Sequence, residues 1–229
     1  DPRSLQATCP VLCRTSGGRT MIAGTVYGVV LNDARERAVL DRAFDEAPYG
    51  TPPVAPVVYV KPGNCLTRGG ASVPLPSHAD EVRLAPTIAL LFGRDARHVA
   101  PEAALTCVAA ACLALDVSLP QKNYYRPAIA ENCCDGFLPI GDFATPPDAS
   151  VTLTTLVDGN EVHRWSLDRL VRPVGELVAV LSTFMTLRAG DLLLVGLPGD
   201  APLGRNGQDV EVRCDGLPSL RTRLTGEAE

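Results

Sequence analysis

Aromatic residues are scarce in this chain, at 5% of 229 residues, so its core has to be built from aliphatic side chains. Basic charge is also short: 21 Lys and Arg stand against 26 Asp and Glu, a net charge of −5, with a pI near 5.3. That balance argues against a nucleic-acid partner, whose phosphates demand a basic face. No apolar run approaches the roughly 20 residues needed to cross a bilayer as a helix, so no membrane partner is expected. The eight cysteines and three histidines form no CxxC…CxxC pattern and no Cys/His cluster, which excludes a zinc module. His78, His98 and His163 lack the Ser/Asp or Cys partner spacing of a catalytic triad and read as surface residues. No internal repeat and no dividing linker are found. The first twenty residues lack the apolar core of a signal peptide. Met21 then opens a strand-like segment, so residues 1–20 read as an upstream extension and 21–229 as one domain.

What is present fits a globular domain. Hydrophobic residues make up 46% of the chain, enough for a sizeable core, and twenty Gly with twenty Pro imply many turns between short strands. The cysteines sit mostly in apolar runs, with Cys133 and Cys134 adjacent. They are expected to be buried free thiols in a reducing cytoplasm.

Strand-like segments fall at 22–31, 54–61, 81–93, 192–196 and 209–214. Pro86 within the third predicts a bend or bulge. Asn32-Asp33 caps an amphipathic helix from Ala34 that ends before Pro52-Pro53. Residues 151–165 form a hairpin turning at Asp158-Gly159, and Ser166 caps a second helix, broken at Pro173, toward Leu187. The run ALTCVAAACLALD, residues 104–116, is apolar until Asp116. Pro101-Glu102 suits a helix start, so 101–114 is expected as a helix that delivers Asp116 at its exit. Residues 117–149 read as an irregular, site-bearing loop region. The order is strand-heavy without regular βαβ alternation, an α+β, mostly β fold class.

Several segments in order resemble the fumarylacetoacetate hydrolase family: Val58-Tyr-Val-Lys-Pro-Gly-Asn64, Ala114-Leu-Asp-Val-Ser-Leu-Pro120, Asn123-Tyr-Tyr-Arg-Pro127, Asp135-Gly-Phe-Leu-Pro-Ile-Gly141, Phe184-Met-Thr-Leu187 and Gly190-Asp191 through Gly196-Leu-Pro198. The Tyr-Tyr-Arg-Pro element is similar to the isomerase/decarboxylase branch of 4-hydroxyphenylacetate (homoprotocatechuate) breakdown, and the missing ligand positions described below resemble the N-terminal half of that branch. The resemblance implies a mixed β-sandwich roll that handles small dicarboxylates or tricarboxylates. It also implies magnesium or manganese held by a Glu-x-Glu pair and the aspartate matching Asp116.

This chain departs from that pattern. The Glu positions fall on Ala85 and Thr87, the family lysine falls on Asn132, and the family Thr-Gly-Thr-Pro is Val195-Gly196-Leu197-Pro198. A unit charge about 4 Å from a divalent cation gains roughly 8 kcal/mol gross at an effective dielectric of ~20, so losing two such charges leaves Asp116 as a weak ligand alone. The resemblance therefore implies a chain with no intact catalytic set, dependent on a homologous catalytic second subunit or assembled as a homo-oligomer. A self-sufficient family enzyme and a non-enzymatic dicarboxylate-binding scaffold are the alternatives.

Lys61, Tyr125 and Arg126 are the candidate substrate-binding residues. Lys61 either attracts a carboxylate or ends its strand in solvent, and Arg126 either clamps an anion or pairs with Asp135 or Glu131. For Asp116 the structural alternative to metal ligation is a carboxylate accepting backbone N–H groups at a turn. Cys133 and Cys134 have only Lys122 or Arg126 nearby to lower a thiol pKa, so a catalytic nucleophile is not expected there. Ser118 and Ser166 read as turn and cap residues.

Overall fold

A computed structural model describes residues 22–121, 128–147 and 151–226. The chain runs through β1 (Val26–Val30), α1 (Ala34–Phe44), β2 (Val57–Lys61), β3 (Leu66–Arg68), β4 (Ser72–Leu75) and β5 (Val82–Phe92). It continues with α2 (Pro101–Ala104), β6 (Val108–Ser118), α3 (Ile129–Asn132), β7 (Leu138–Ile140), β8 (Thr152–Val157) and β9 (Asn160–Ser166). The remainder is α4 (Val174–Phe184), β10 (Leu192–Leu194), β11 (Leu203–Gly204), β12 (Asp209–Cys214) and β13 (Leu217–Gly226).

The strands form two mixed sheets. The larger has the order β2-β1-β10-β5-β6-β7-β3 with β11 also on β5, and the smaller has the order β4-β13-β12-β8-β9. Although β2 and β3 are the two edges of the larger sheet, only residues 62–65 join them. The five steps from Lys61 to Leu66 span at most about 18 Å, so the two edges must approach each other and the sheet curls into a roll. This is the mixed, mostly β architecture expected from the sequence.

The curl gives the large sheet a concave and a convex face. Paired residues on neighbouring strands point the same way. Ala89, Leu91, Cys112, Ala114, Leu192 and Leu194 thus line the concave interior with Val26 and Ile140. The alternate residues, such as Leu84, Ile88, Leu113 and Leu115, pack outward with Trp165 and Leu220 of the small sheet and Leu177 and Leu181 of α4. That outward layer is the main core.

Several local expectations hold. Asp33 caps α1 by accepting from Arg35 N. The hairpin turns through Asp158 and Gly159, both at positive φ (50° and 80°), and Val157 pairs with Asn160. Pro86 lies inside β5 without a bulge, the register shift coming only at Leu91/Phe92. Leu84 N donates to Pro202 O and Val195 N to Ile88 O on one edge of β5. Pro86 falls between these bonds, where no N–H is required.

Other expectations fail. The helix expected over 101–114 is one turn of α2, a 3₁₀ turn at Leu105–Cys107, and then eleven residues of β6. Cys107 and Cys112 are accordingly in a 3₁₀ turn and a strand, not a helix. An apolar run buried on both faces has no periodicity that separates helix from strand, and here antiparallel pairing with β5 along its length decides. Ser166 caps only a 3₁₀ turn at Leu167–Arg169, and α4 starts after Pro173. Within 117–149, Val117 and Ser118 still belong to β6, and α3 and β7 are regular. The boundary at Met21 lies outside the described residues.

Candidate functional site

The concave face of the large sheet changes character toward one mouth of the roll. Leucines and alanines give way to a short polar row in which Thr87 pairs with Ala114, Ala85 with Asp116 and Arg83 with Ser118. Asp116 is thus a strand residue, 2% exposed, beside the two positions where the family resemblance placed glutamates.

Its partners come from β2. On that strand Val57, Tyr59 and Lys61 share a face by the two-residue period. Lys61 is 1% exposed, and its ammonium lies 3.0 Å from Asp116 Oδ1. Tyr59 donates its hydroxyl to Asp116 Oδ2. Lys61 Nζ also donates to Asn132 O at 2.7 Å and Val117 O at 2.9 Å, with Phe137 O at 3.4 Å. An ammonium has three donors, so Lys61 has none left over. The lysine is neither solvated nor free to reach outward. Asp116 accepts from two side chains, not from backbone N–H groups at a turn.

Gly28 makes this arrangement possible. It pairs with Tyr59 across β1 and β2, and a Cβ there would fall 2.1 Å from the Tyr59 ring. The phenol therefore lies across the glycine and reaches Asp116. The sequence reading missed Tyr59. The available signal was its place two residues before Lys61, on the same face of a strand.

Above the pair is a cavity of about 380 Å³ lined by Tyr59, Arg83, Asp116, Ser118, Gln121 and Asn132 among others. A second, of about 500 Å³, runs along α1 past Glu36, Gly199 and Asp200, and shares Arg83, Ser118 and Gln121 with the first. Asn132 Oδ1 accepts from Gln121 Nε2 at 2.8 Å. Ser118, read from the sequence as a turn residue, instead ends β6 in the wall common to both cavities. Tyr125 and Arg126 lie outside the described residues.

The site's residues do not fit a divalent cation. Ala85 offers a methyl group. Thr87 is fully buried, and its hydroxyl donates to Gly196 O at 2.6 Å. Asp116 already faces a cation and a phenol donor. Among the described residues no three His, Cys, Asp or Glu side chains are grouped to hold a metal.

The described cysteines are buried or half-buried free thiols. Burial pushes Cys65 up to about 12, against the opposing charge of Lys61, so it stays protonated and unreactive at neutral pH. Cys107 and Cys112 are buried free thiols, whereas Cys133, Cys134 and Cys214 are half-buried. His163 departs from its surface reading: its side chain is 8% exposed, with Nε2 3.2 Å from Asp200 Oδ1.

Comparison with known proteins agrees with this architecture. Residues 25–225 match the family model described as fumarylacetoacetate (FAA) hydrolase C-terminal. The chain is 36% identical over 207 residues to a 4-hydroxyphenylacetate degradation bifunctional isomerase/decarboxylase from Salmonella dublin, covering 90% of this chain and 48% of that protein. It thus spans about half the length of that relative. Among solved structures, 5-carboxymethyl-2-hydroxymuconate delta-isomerase from Mycobacterium smegmatis superposes with a TM-score of 0.76 at 26% identity, covering 92% of this chain and 82% of that one. Fumarylpyruvate hydrolase from Pseudomonas aeruginosa, solved with Mn2+ and pyruvate, shares the fold at a TM-score of 0.75 and 23% identity, covering 93% and 94%. From the roll, its mouth and these likenesses together, the chain belongs to the fumarylacetoacetate hydrolase family.

Proposed function

We propose that this chain is the metal-free half of a two-part isomerase/decarboxylase of 4-hydroxyphenylacetate catabolism, working in the cytoplasm beside a homologous catalytic subunit. The complete enzyme decarboxylates 5-oxopent-3-ene-1,2,5-tricarboxylate and isomerises the resulting 2-hydroxyhepta-2,4-diene-1,7-dioate. The catalytic subunit would hold the Mg2+ or Mn2+, and a divalent cation there would supply Lewis-acid stabilisation of charge developing on a 2-oxo acid. This chain supplies the roll, a subunit interface and contacts to the substrate's carboxylates, the candidates for which are the cavity-lining residues and, from the sequence alone, Tyr125 and Arg126. Lys61 acts behind the cavity by fixing Asp116.

One observation carries this reading. The carboxylate left at the metal position is neutralised within the protein by Lys61 and Tyr59, while Ala85 and Thr87 add no charge. The 36% identity to half of a bifunctional isomerase/decarboxylase supports the choice of reaction.

The test is to measure decarboxylation and isomerisation by the chain alone with Mg2+, then with the partner subunit added. Activity only in the mixture is expected. Full metal-dependent turnover by the isolated chain would refute the dependence. A dicarboxylate-binding module without turnover is the second reading, favoured by the donor-rich cavity wall. It would be indicated by binding without activity even in the mixture.

A further inference from the structure

The cavity above Asp116 has an uneven charge balance. Among its described lining residues the charged side chains are Arg83 and Asp116. Asp116 contributes little outward field, because Lys61 lies 3.0 Å behind it and Tyr59 occupies its second oxygen. The guanidinium of Arg83 is therefore left to set the potential of the space.

Arg83 is also held in place without being neutralised. It opens β5 opposite Ser118, in the wall common to both cavities. Its Nη2 donates to Pro198 O, the carbonyl of a neighbouring backbone segment. No described carboxylate pairs with it, and its Nε and Nη1 have no acceptor among the described residues. One anchored nitrogen leaves the remaining face of the fork free to meet two oxygens.

A second group points to the same place. Ser118 is 4% exposed, yet its hydroxyl has no hydrogen-bond partner among the described residues, and it lines both cavities. A hydroxyl placed on that wall can donate to, and accept from, a ligand entering the space. The amide nitrogen of Asn132, whose oxygen is taken by Gln121, is another donor on the wall. The Arg83 guanidinium, the Ser118 hydroxyl and the Asn132 amide nitrogen thus offer donors on a wall that also carries the Gln121 amide.

We infer that Arg83 and Ser118 form a metal-independent carboxylate-binding site, with the Arg83 fork and the Ser118 hydroxyl gripping one carboxylate of a small dicarboxylate. The inference deepens the function proposed above by naming the residues that hold its substrate class, and it rests on that reading for the class alone. The volume of about 380 Å³ falls in the range of ordinary small-ligand sites. A Lys61-neutralised aspartate at the far wall leaves the rest of the ligand free of repulsion.

The experiment is calorimetric titration of the full chain with glutarate and adipate in excess EDTA, with the dimethyl esters as uncharged controls. Saturable binding of a diacid, absent for its ester, is expected. Arg83→Gln should weaken it about tenfold to a hundredfold, the range for losing a charged hydrogen bond. Arg83→Lys should recover only part of that, since a point charge cannot match two oxygens. Ser118→Ala should weaken binding about threefold to tenfold and removes a single oxygen, which keeps the test valid should Arg83→Gln unfold.

The inference falls if the diacid fails to bind, if binding requires Mg2+, or if both Arg83→Gln and Ser118→Ala bind as the parent does. Activity with the partner subunit separates this failure from that of the proposed function. A chain that supports turnover but binds no diacid overturns the site alone. One that binds diacid through Arg83 but supports no turnover upholds the site and overturns the function.

Discussion

Two clusters of ion pairs border the cavities, and they solve the same problem differently. At the mouth of the roll Asp116 meets one ammonium and one phenol, with almost no solvent contact. Along α1 the arrangement is branched. Arg169 Nε donates to Asp33 Oδ1 at 3.0 Å, and its Nη2 lies 2.9 Å from Asp200 Oδ1. Asp200 also takes Arg35 at 2.7 Å and His163 at 3.2 Å. The first cluster has no spare partner, while the second has several and stands partly in water. Removing one member should therefore be severe in the first and mild at the outer edge of the second. A buried charge left alone keeps its full desolvation cost, but an exposed one is screened.

The largest expected effect is at Lys61. Lys61→Met leaves the enclosed Asp116 carboxyl without its cation and the Asn132 and Val117 carbonyls without their donor, and should cost about 3–5 kcal/mol of stability, read from denaturant midpoints at constant slope. The double variant Lys61→Met, Asp116→Leu sharpens the contrast. It should recover most of that loss, because an apolar pair needs no charge compensation. A double variant as unstable as the single would show that Lys61 matters mainly for the carbonyls it bonds.

Next is Gly28→Ala. The added methyl meets the Tyr59 ring at 2.1 Å, and forcing the ring aside should cost about 1–3 kcal/mol. It should also perturb the tyrosine absorbance of the native state, which a purely backbone effect would leave alone.

The branched cluster is tested by acid. Burial alone would raise Asp200, but hydrogen bonds from Arg169 and His163, and their charges, outweigh it and bring the carboxyl from 3.8 to about 2. Because the native value is the lower one, this stability is fully present above pH 4 and is lost as pH falls toward 2. With partial exposure it should amount to about 1–2 kcal/mol. An Asp200→Asn variant should show a flatter stability profile between those pH values.

The smallest effect belongs to Arg35→Ala. Its side chain is 68% exposed, and removing it should change stability by about 0.5 kcal/mol or less. A loss near that of Lys61→Met would erase the distinction between the two clusters.

Much of the fold was readable because local chemistry and tertiary structure agree. Asp158-Gly159 demanded a primed turn and made one, and Asp33 capped the helix its sequence announced. The closing strand Leu217–Gly226 also carried a signal that was overlooked. Its inward residues Leu220, Thr222 and Leu224 alternate with exposed arginines. Residues 104–116 were ambiguous for a physical reason, since a stretch buried on both sides carries no face to read.

The site was legible as a position but not as an arrangement. Asp116, Ala85 and Thr87 do converge, and Lys61 was singled out. Its partner was hidden because Lys61 and Asp116 are 55 positions apart in sequence and belong to strands β2 and β6, which are not neighbours in the sheet. Only the curl of the sheet brings them together. Arg83 and Ser118 were missed or misassigned for the same reason: their importance comes from the space they share.

The short span from Pro62 to Cys65 has one more implication. It places Lys61 at the seam where the sheet's margins meet, and from there one nitrogen ties down β6, α3 and the approach to β7. A charged side chain can thus serve as a rivet, holding three separate stretches of chain to one point where the roll closes.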